Sequence, residues 1–205
     1  MIATCKLAAL AGGDLAAATR ELTDFIRSQP SDLAIFDLRE TGPEQLSADD
    51  ISQVTGWERA LRLIERSPAT TVAVFGQQVG GHALEVALAC DFRMARPGAQ
   101  VKWQNDGAVW PSTALFRLVR LVGPAQTIRL TVLGEPLDAA VGNGLVDLVT
   151  DDIETDLETL GAAVARLDDL RVVRNLIAEA THTGYDDALG AHLAACERYL
   201  RRRVD

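Results

Sequence analysis

The side chains best suited to chemistry lie in one short stretch, residues 77–91, which reads QQVGGHALEVALACD. It contains the adjacent glycines Gly80 and Gly81, then His82, and one carboxylate, Glu85, inside an otherwise apolar segment. A glycine turn that opens a helix directs backbone N–H groups to one point, which suits a phosphate or an oxyanion. Glu85 lies about one helical turn beyond this point. Because apolar surroundings favour the neutral form of a carboxyl group, Glu85 suits work as a general acid or base.

The same pattern also fits a purely structural role, and both interpretations stay open at this point. Adjacent glycines are common in tight turns, and the helix dipole favours a glutamate near a helix start. Three other motifs are excluded. The glycine spacing is not that of a dinucleotide fingerprint, no Lys-Ser/Thr pair follows as in a P-loop, and no serine occupies the turn as in a nucleophile elbow.

Strands and helices alternate on both sides of this stretch. Residues 1–10 predict a strand rather than a signal peptide. Buried strands are predicted at 32–38 and 70–76 from the runs DLAIFDL and TTVAVFG. Asp14 is a candidate N-cap for a helix over 15–28.

Shorter elements are expected beyond Cys90. Strands are predicted at 91–95, 100–103 and 144–149, with a turn of helix at 138–141. A helix that starts near Pro111 should break at Gly123-Pro124. Alternating strands and helices predict an α/β core, and short strands with varied turns fit a spiral of ββα units better than a doubly wound sheet.

The composition changes after Asp151, where three helical segments follow without a strand signal, at 152–167, 170–182 and 185–203. We therefore divide the chain into a core, 1–150, and a C-terminal helical region, 151–205. The last helix carries an apolar stripe on one face. Its members are Tyr185, Leu189, His192, Leu193, Cys196, Tyr199 and Leu200.

The composition narrows the class of function. The chain has 205 residues, a net charge of −9 and 48% hydrophobic residues, which is typical of a globular protein and argues against a general nucleic-acid-binding surface. No apolar run approaches the ~20 residues of a membrane span. Its three cysteines lack the spacing of a disulfide framework or a zinc site. We expect a cytoplasmic protein with no metal and no resident cofactor.

Several segments in the same order resemble the crotonase (enoyl-CoA hydratase/isomerase) superfamily. The central one, TTVAVFGQQVGGHALEVALACDFRMARPGAQ, matches the family's strand, glycine turn and Glu-bearing helix, which ends in Cys-Asp-hydrophobic-Arg. The likeness covers about residues 30–150 and continues through VGPA at 122–125, LGEPLDAA at 133–140 and GLVD at 144–147. The resemblance implies a ClpP/crotonase-like spiral of ββα units, with C-terminal helices that build a homotrimer or a dimer of trimers.

The resemblance also implies a function and roles for individual residues. Members bind acyl-CoA thioesters and stabilise an enolate-like oxyanion with two backbone N–H groups. One of these groups falls on His82, beside Gly80 and Gly81, and Glu85 takes the place of the helix carboxylate. The family's second glutamate is replaced here by Gln104 or Asn105. Asp106 is the nearby carboxylate and the candidate catalytic partner of Glu85. The first oxyanion loop lacks its usual Ala-Gly-x-Asp signature in RETGPEQLSADD at 39–50.

A closer likeness points to the crotonase-like accessory proteins of 3,5-dihydroxyphenylglycine biosynthesis. It lies in GWERAL at 56–61, in NDG and Trp110-Pro111 after the predicted strand, and in ALGAHLAAC at 188–196. It implies a polyketide-CoA substrate, a type III polyketide synthase as partner, a product of 3,5-dihydroxyphenylacetyl-CoA type, and a substrate pocket that includes Gln104, Asn105 and Trp110. Two alternatives are a non-catalytic protein that stimulates the synthase and a general enoyl-CoA hydratase or isomerase. A Clp-type peptidase is disfavoured, because glycine stands where its serine would be.

Overall fold

The computed structural model describes residues 2–28, 32–42, 51–103, 113–138, 144–167, 170–181 and 183–202. The predicted pocket residues Gln104, Asn105 and Trp110 and the predicted catalytic carboxylate Asp106 lie outside these ranges. The chain forms two compact units, Met1–Gly161 and Ala162–Asp205.

Eight strands are described in the first unit. They are β1 (Ile2–Cys5), β2 (Leu33–Leu38), β3 (Thr70–Phe75), β4 (Gln78–Val79), β5 (Phe92–Ala95), β6 (Gln100–Val101), β7 (Leu137–Asp138) and β8 (Leu148–Val149). The described helices are α1 (Ala8–Ala11), α2 (Leu15–Arg27), α3 (Ile51–Glu65), α4 (Gly81–Ala89), α5 (Ala114–Thr131), α6 (Ile153–Val164), α7 (Leu170–Ala180) and α8 (Tyr185–Arg202).

The strands form two sheets. A five-stranded parallel sheet has the order β1-β2-β3-β5-β8, and a small sheet has the order β4-β6-β7, with β6 and β7 antiparallel. The chain passes from the large sheet to the small sheet and then into a helix twice, as β3-β4-α4 and as β5-β6-α5. These repeated ββα units confirm the predicted α/β spiral.

Two central strands organise the core. Every residue of β2 and β3 is buried, as expected for inner strands of a parallel sheet covered on both faces. Alternate side chains face opposite sides. Phe36 and Phe75 join the cluster that includes residues of α2, α3 and α4, whereas Ile35 and Val72 pack with Ile153 of α6.

Several local predictions are confirmed. The Asp14 side chain accepts a hydrogen bond from the Ala17 N–H at 2.9 Å and caps α2, as its position before the apolar stripe indicates. Gly123 interrupts the helical backbone of α5 with φ 77°, where the Gly-Pro pair predicts a break.

Other local predictions are wrong. The strand predicted over 1–10 ends at Cys5, and Ala8–Ala11 is helical because the Glu21 carboxylate accepts from the N–H groups of Ala8 and Ala9. Asp138, predicted to begin a helical turn, instead lies in β7 and pairs with Gln100 of β6. The rest of that predicted turn, 139–141, lies outside the described residues. The strand β4 was not predicted, because its two residues are too few to show the alternating apolar pattern of a strand.

The second unit contains α7 and α8. An apolar cleft there is lined by Val172, Val173, Ala195, Cys196, Tyr199 and Leu200. Leu189, Leu193, Tyr199 and Leu200 of the predicted stripe are exposed, so the unit itself leaves much of this stripe uncovered. The trimerisation role of the C-terminal helices stays a prediction. Among the described helices, none combines the length and the apolar character needed to cross a membrane.

Candidate active site

Two glycines shape the entry into α4. Gly80 is extended, with φ −165°, and precedes the helix as its N-cap, and its carbonyl accepts the Leu84 N–H at 2.9 Å. Gly81 has φ 48°, in the left-handed region that favours glycine. The helix therefore begins abruptly after β4. Its first-turn N–H groups lie outside the helical hydrogen-bond ladder, at the end of the helix where the dipole is positive.

Glu85 is buried in this helix, with 2% of its surface exposed. The indole Nε1 of Trp57, on α3, donates a hydrogen bond to Glu85 Oε2 at 2.5 Å. Trp57 is equally buried, at 2% exposed. A carboxylate taken out of water requires such partners, because an uncompensated buried charge is costly. When α3 packs against α4, the Trp57 indole therefore provides a hydrogen bond in place of one that Glu85 would make to water.

His82 lies one turn before Glu85 on α4 and is 1% exposed. Its ring meets the Trp57 ring edge-on, with 5.2 Å between the centroids and 74° between the planes. Burial lowers the pKa of His82 to about 4, so the imidazole is neutral at neutral pH. The side chain therefore brings a ring and polar nitrogens to the site rather than a positive charge.

A buried arginine joins α3 to α5 beside Trp57. Arg117 pairs with Glu65 at 2.8 Å and with Glu58 at 3.4 Å, and the Thr113 hydroxyl donates to the Glu58 carboxylate. The Arg117 side chain is 9% exposed. Trp57 and Glu58 are neighbours in the chain, so the same turn of α3 contacts α4 on one side and α5 on the other.

The structure thus brings together some of the predicted site residues. Gly80, Gly81, His82 and Glu85 lie on one turn and the helix that follows it. The proposed partners Gln104, Asn105, Asp106 and Trp110 fall outside the described residues, and their roles stay predictions. The sequence did not place the first oxyanion donor, and 43–50 of the corresponding loop also lie outside the described residues.

Sequence reasoning missed the contact between Trp57 and Glu85. Trp57 drew attention only through the likeness of GWERAL to the accessory proteins. A physical signal was available, because a buried indole N–H needs an acceptor. The two residues are 28 positions apart, however, and no local pattern pairs them.

The arrangement is suited to thioester chemistry. A carbonyl oxygen placed at the start of α4 would meet backbone N–H donors, and the Glu85 carboxylate lies one turn away for proton transfer. Within the described ranges, no group of three or more His, Cys, Asp or Glu side chains is arranged to hold a metal ion. The fold and this turn define the crotonase class of α/β protein.

Comparison with known proteins agrees with this class. No family model matches the chain. It is 40% identical over 159 residues to an enoyl-CoA hydratase from Amycolatopsis orientalis. The matched segment covers 75% of this chain and 73% of that protein. The chain therefore belongs to the enoyl-CoA hydratase/isomerase (crotonase) superfamily.

Solved structures share the fold at lower sequence identity. A protein from Thermobifida fusca, described as a putative enoyl-CoA hydratase in complex with CoA, superposes with a TM-score of 0.80 at 18% identity, over 92% of this chain and 84% of that one. An enoyl-CoA hydratase from Thermoplasma volcanium gives 0.75 at 18% identity, over 90% and 82%. At such identity these likenesses establish the fold.

Proposed function

We propose that the protein binds an acyl-CoA thioester at the start of α4 and uses Glu85 to move a proton next to the thioester carbonyl. The observation that carries this proposal is the position of the Glu85 carboxylate, one turn inside a helix that begins at a glycine turn. Family membership supports it, as does the CoA bound to the Thermobifida fusca protein of the same fold.

The proposed step conserves atoms and charge. The Glu85 carboxylate accepts the proton from the carbon next to the thioester carbonyl. The electron pair of the broken C–H bond moves to that carbonyl, and the resulting oxyanion accepts hydrogen bonds from first-turn N–H groups of α4. Return of the proton to the same carbon gives exchange, and its return to another carbon of the conjugated system gives isomerisation. Loss of a β-hydroxyl group as water, protonated by the proton that Glu85 has taken from the α-carbon, gives dehydration.

The decisive experiment compares Glu85→Gln with the unmodified protein. We expect the variant to fold and to lose about 100- to 10,000-fold in rate, the usual contribution of a general acid or base. Suitable readouts are deuterium incorporation from heavy water into butyryl-CoA and the disappearance of the enoyl absorbance of crotonyl-CoA.

Glu65→Gln provides a matched control. Glu65 is a glutamate on α3 that pairs with Arg117, and we assign it no part in proton transfer, so this variant should keep the full rate. A Glu85→Gln protein as active as the unmodified chain would remove Glu85 from the chemistry.

We further propose that the substrate is a polyketide-type thioester made by a type III polyketide synthase, and that the reaction helps to form 3,5-dihydroxyphenylacetyl-CoA. The support is the likeness to the accessory proteins in GWERAL, on α3, and in ALGAHLAAC, on α8. Trp57, which belongs to the first of these segments, contacts the proposed catalytic carboxylate.

A second candidate function is stimulation of the synthase without catalysis. The nearly complete burial of Glu85 beneath Trp57 favours it, because a carboxylate can also be held in a core by hydrogen bonds alone. The test adds the protein to a type III polyketide synthase with malonyl-CoA and measures the dihydroxyphenylacetyl product. Under catalysis Glu85→Gln abolishes the gain in product, whereas under stimulation the variant keeps the gain and co-elutes with the synthase.

A further inference from the structure

The Trp57 side chain is fixed by contacts on two sides. Its ring is 2% exposed and meets the ring of His82 edge-on at 5.2 Å. The next residue, Glu58, is held to α5 by Thr113 and Arg117. The indole therefore has little freedom to rotate, and its N–H stays at one place beside α4.

A fixed donor restricts the acceptor that it binds. Glu85 has a flexible side chain whose terminal torsion is broad, so the carboxyl plane is not set by its own rotamer. The indole N–H engages Oε2 at 2.5 Å. A hydrogen bond to a charged acceptor is stronger than one between neutral groups, and this bond limits rotation of the carboxyl plane.

We propose that Trp57 is a positioning residue for Glu85: its indole N–H holds Oε2 in place and so sets the orientation of the carboxylate for proton transfer. This inference rests on the proposed function of Glu85. Trp57 donates to the carboxylate, and through this contact it acts on the geometry of the reacting group. Misplacement of a reacting group by about 1 Å costs on the order of 100-fold in rate.

The first test replaces the donor and keeps an aromatic ring. In Trp57→Phe we expect kcat for exchange into butyryl-CoA to fall by about 10- to 100-fold, with KM within about twofold of the unmodified protein. Because phenylalanine leaves some space, a second variant carries benzothienylalanine at this position, in which sulfur replaces the N–H and the bicyclic shape is kept. The same loss in kcat is expected there.

A double-mutant cycle separates positioning from general support of the fold. If Trp57 acts through Glu85, then Trp57→Phe should not lower the residual rate of Glu85→Gln any further. A structural role would reduce the rate of both backgrounds equally. A spectroscopic arm follows the indole ¹⁵N–H resonance of Trp57, assigned by its loss in Trp57→Phe. We expect this resonance to move in Glu85→Gln and to stay unchanged in Glu65→Gln.

The outcomes distinguish the two proposals. The positioning role would be overturned if both Trp57 variants kept the full kcat, or if the indole resonance did not shift in Glu85→Gln. Either result would leave proton transfer by Glu85 intact. A Glu85→Gln protein as active as the unmodified chain, or an unmodified protein without exchange, would overturn the proposed function and this inference with it.

Discussion

Gly76, directly after β3, lies against the backbone that leaves β2 at Arg39. A Cβ atom added to Gly76 would lie 2.4 Å from the Arg39 carbonyl oxygen. This is shorter than a van der Waals contact, so one of the two backbone segments would have to move. The two strands are neighbours, with Leu38 opposite Phe75. Close approach at this point sets where the chain leaves the sheet on its way to β4 and α4.

We therefore expect Gly76→Ala to lower the free energy of unfolding by about 1–3 kcal/mol, the usual cost of forcing extra volume into a packed region. Urea unfolding followed by circular dichroism measures the change. Gly56→Ala is the matched control, because a Cβ there meets only the Thr19 methyl carbon at 3.9 Å. Gly56 lies inside α3, so alanine should stabilise by up to about 1 kcal/mol. Equal effects of the two variants would contradict the close approach.

Arg117 connects α5 to two glutamates of α3 from a buried position. We expect Arg117→Met to lower the free energy of unfolding by about 2 kcal/mol. This is less than the ~3–5 kcal/mol for breaking a fully buried pair, because the Glu65 side chain is 39% exposed. Arg129→Met removes an exposed pair, with side chains 56% and 44% exposed, and should cost under about 1 kcal/mol. A loss in Arg117→Met no larger than this would show that the buried pair adds little.

His82 should make stability depend on pH. Burial lowers its pKa from 6.5 to about 4, so between these values the unfolded chain binds more protons than the folded chain. Stability is therefore complete above the unfolded value and is lost as the pH falls towards the folded one. In the unmodified protein, the free energy of unfolding should be lower at about pH 5 than at about pH 7. His82→Gln should reduce this pH-dependent loss by about 2 kcal/mol.

The control for this experiment is His192→Gln, since His192 on α8 is exposed. Denaturant unfolding of the three proteins at both pH values gives the comparison. If His82→Gln and the unmodified chain lose stability equally between the two pH values, burial of this imidazole is not the cause of the loss.

Most of the sheet and the start of α4 could be predicted because their signals are local. The runs at 32–38 and 70–76 are largely apolar, and the second is rich in β-branched residues. The strands β2 and β3 begin and end within one residue of these bounds. The Gly80-Gly81 pair predicted the turn. The helix after Cys5 could not be foreseen, because Glu21, from a later helix, caps it.

By itself, the sequence determined the α/β class and the order of strand, glycine turn and Glu-bearing helix, since these depend on residues within a few positions of one another. Only the tertiary structure decided what surrounds Glu85. Trp57 donates to this carboxylate and meets the His82 ring when α3 packs against α4. Glu58 pairs with Arg117 across 59 positions of chain. Such contacts follow from the packing of whole helices, in which each buried polar group must find an acceptor or a donor wherever the fold places one.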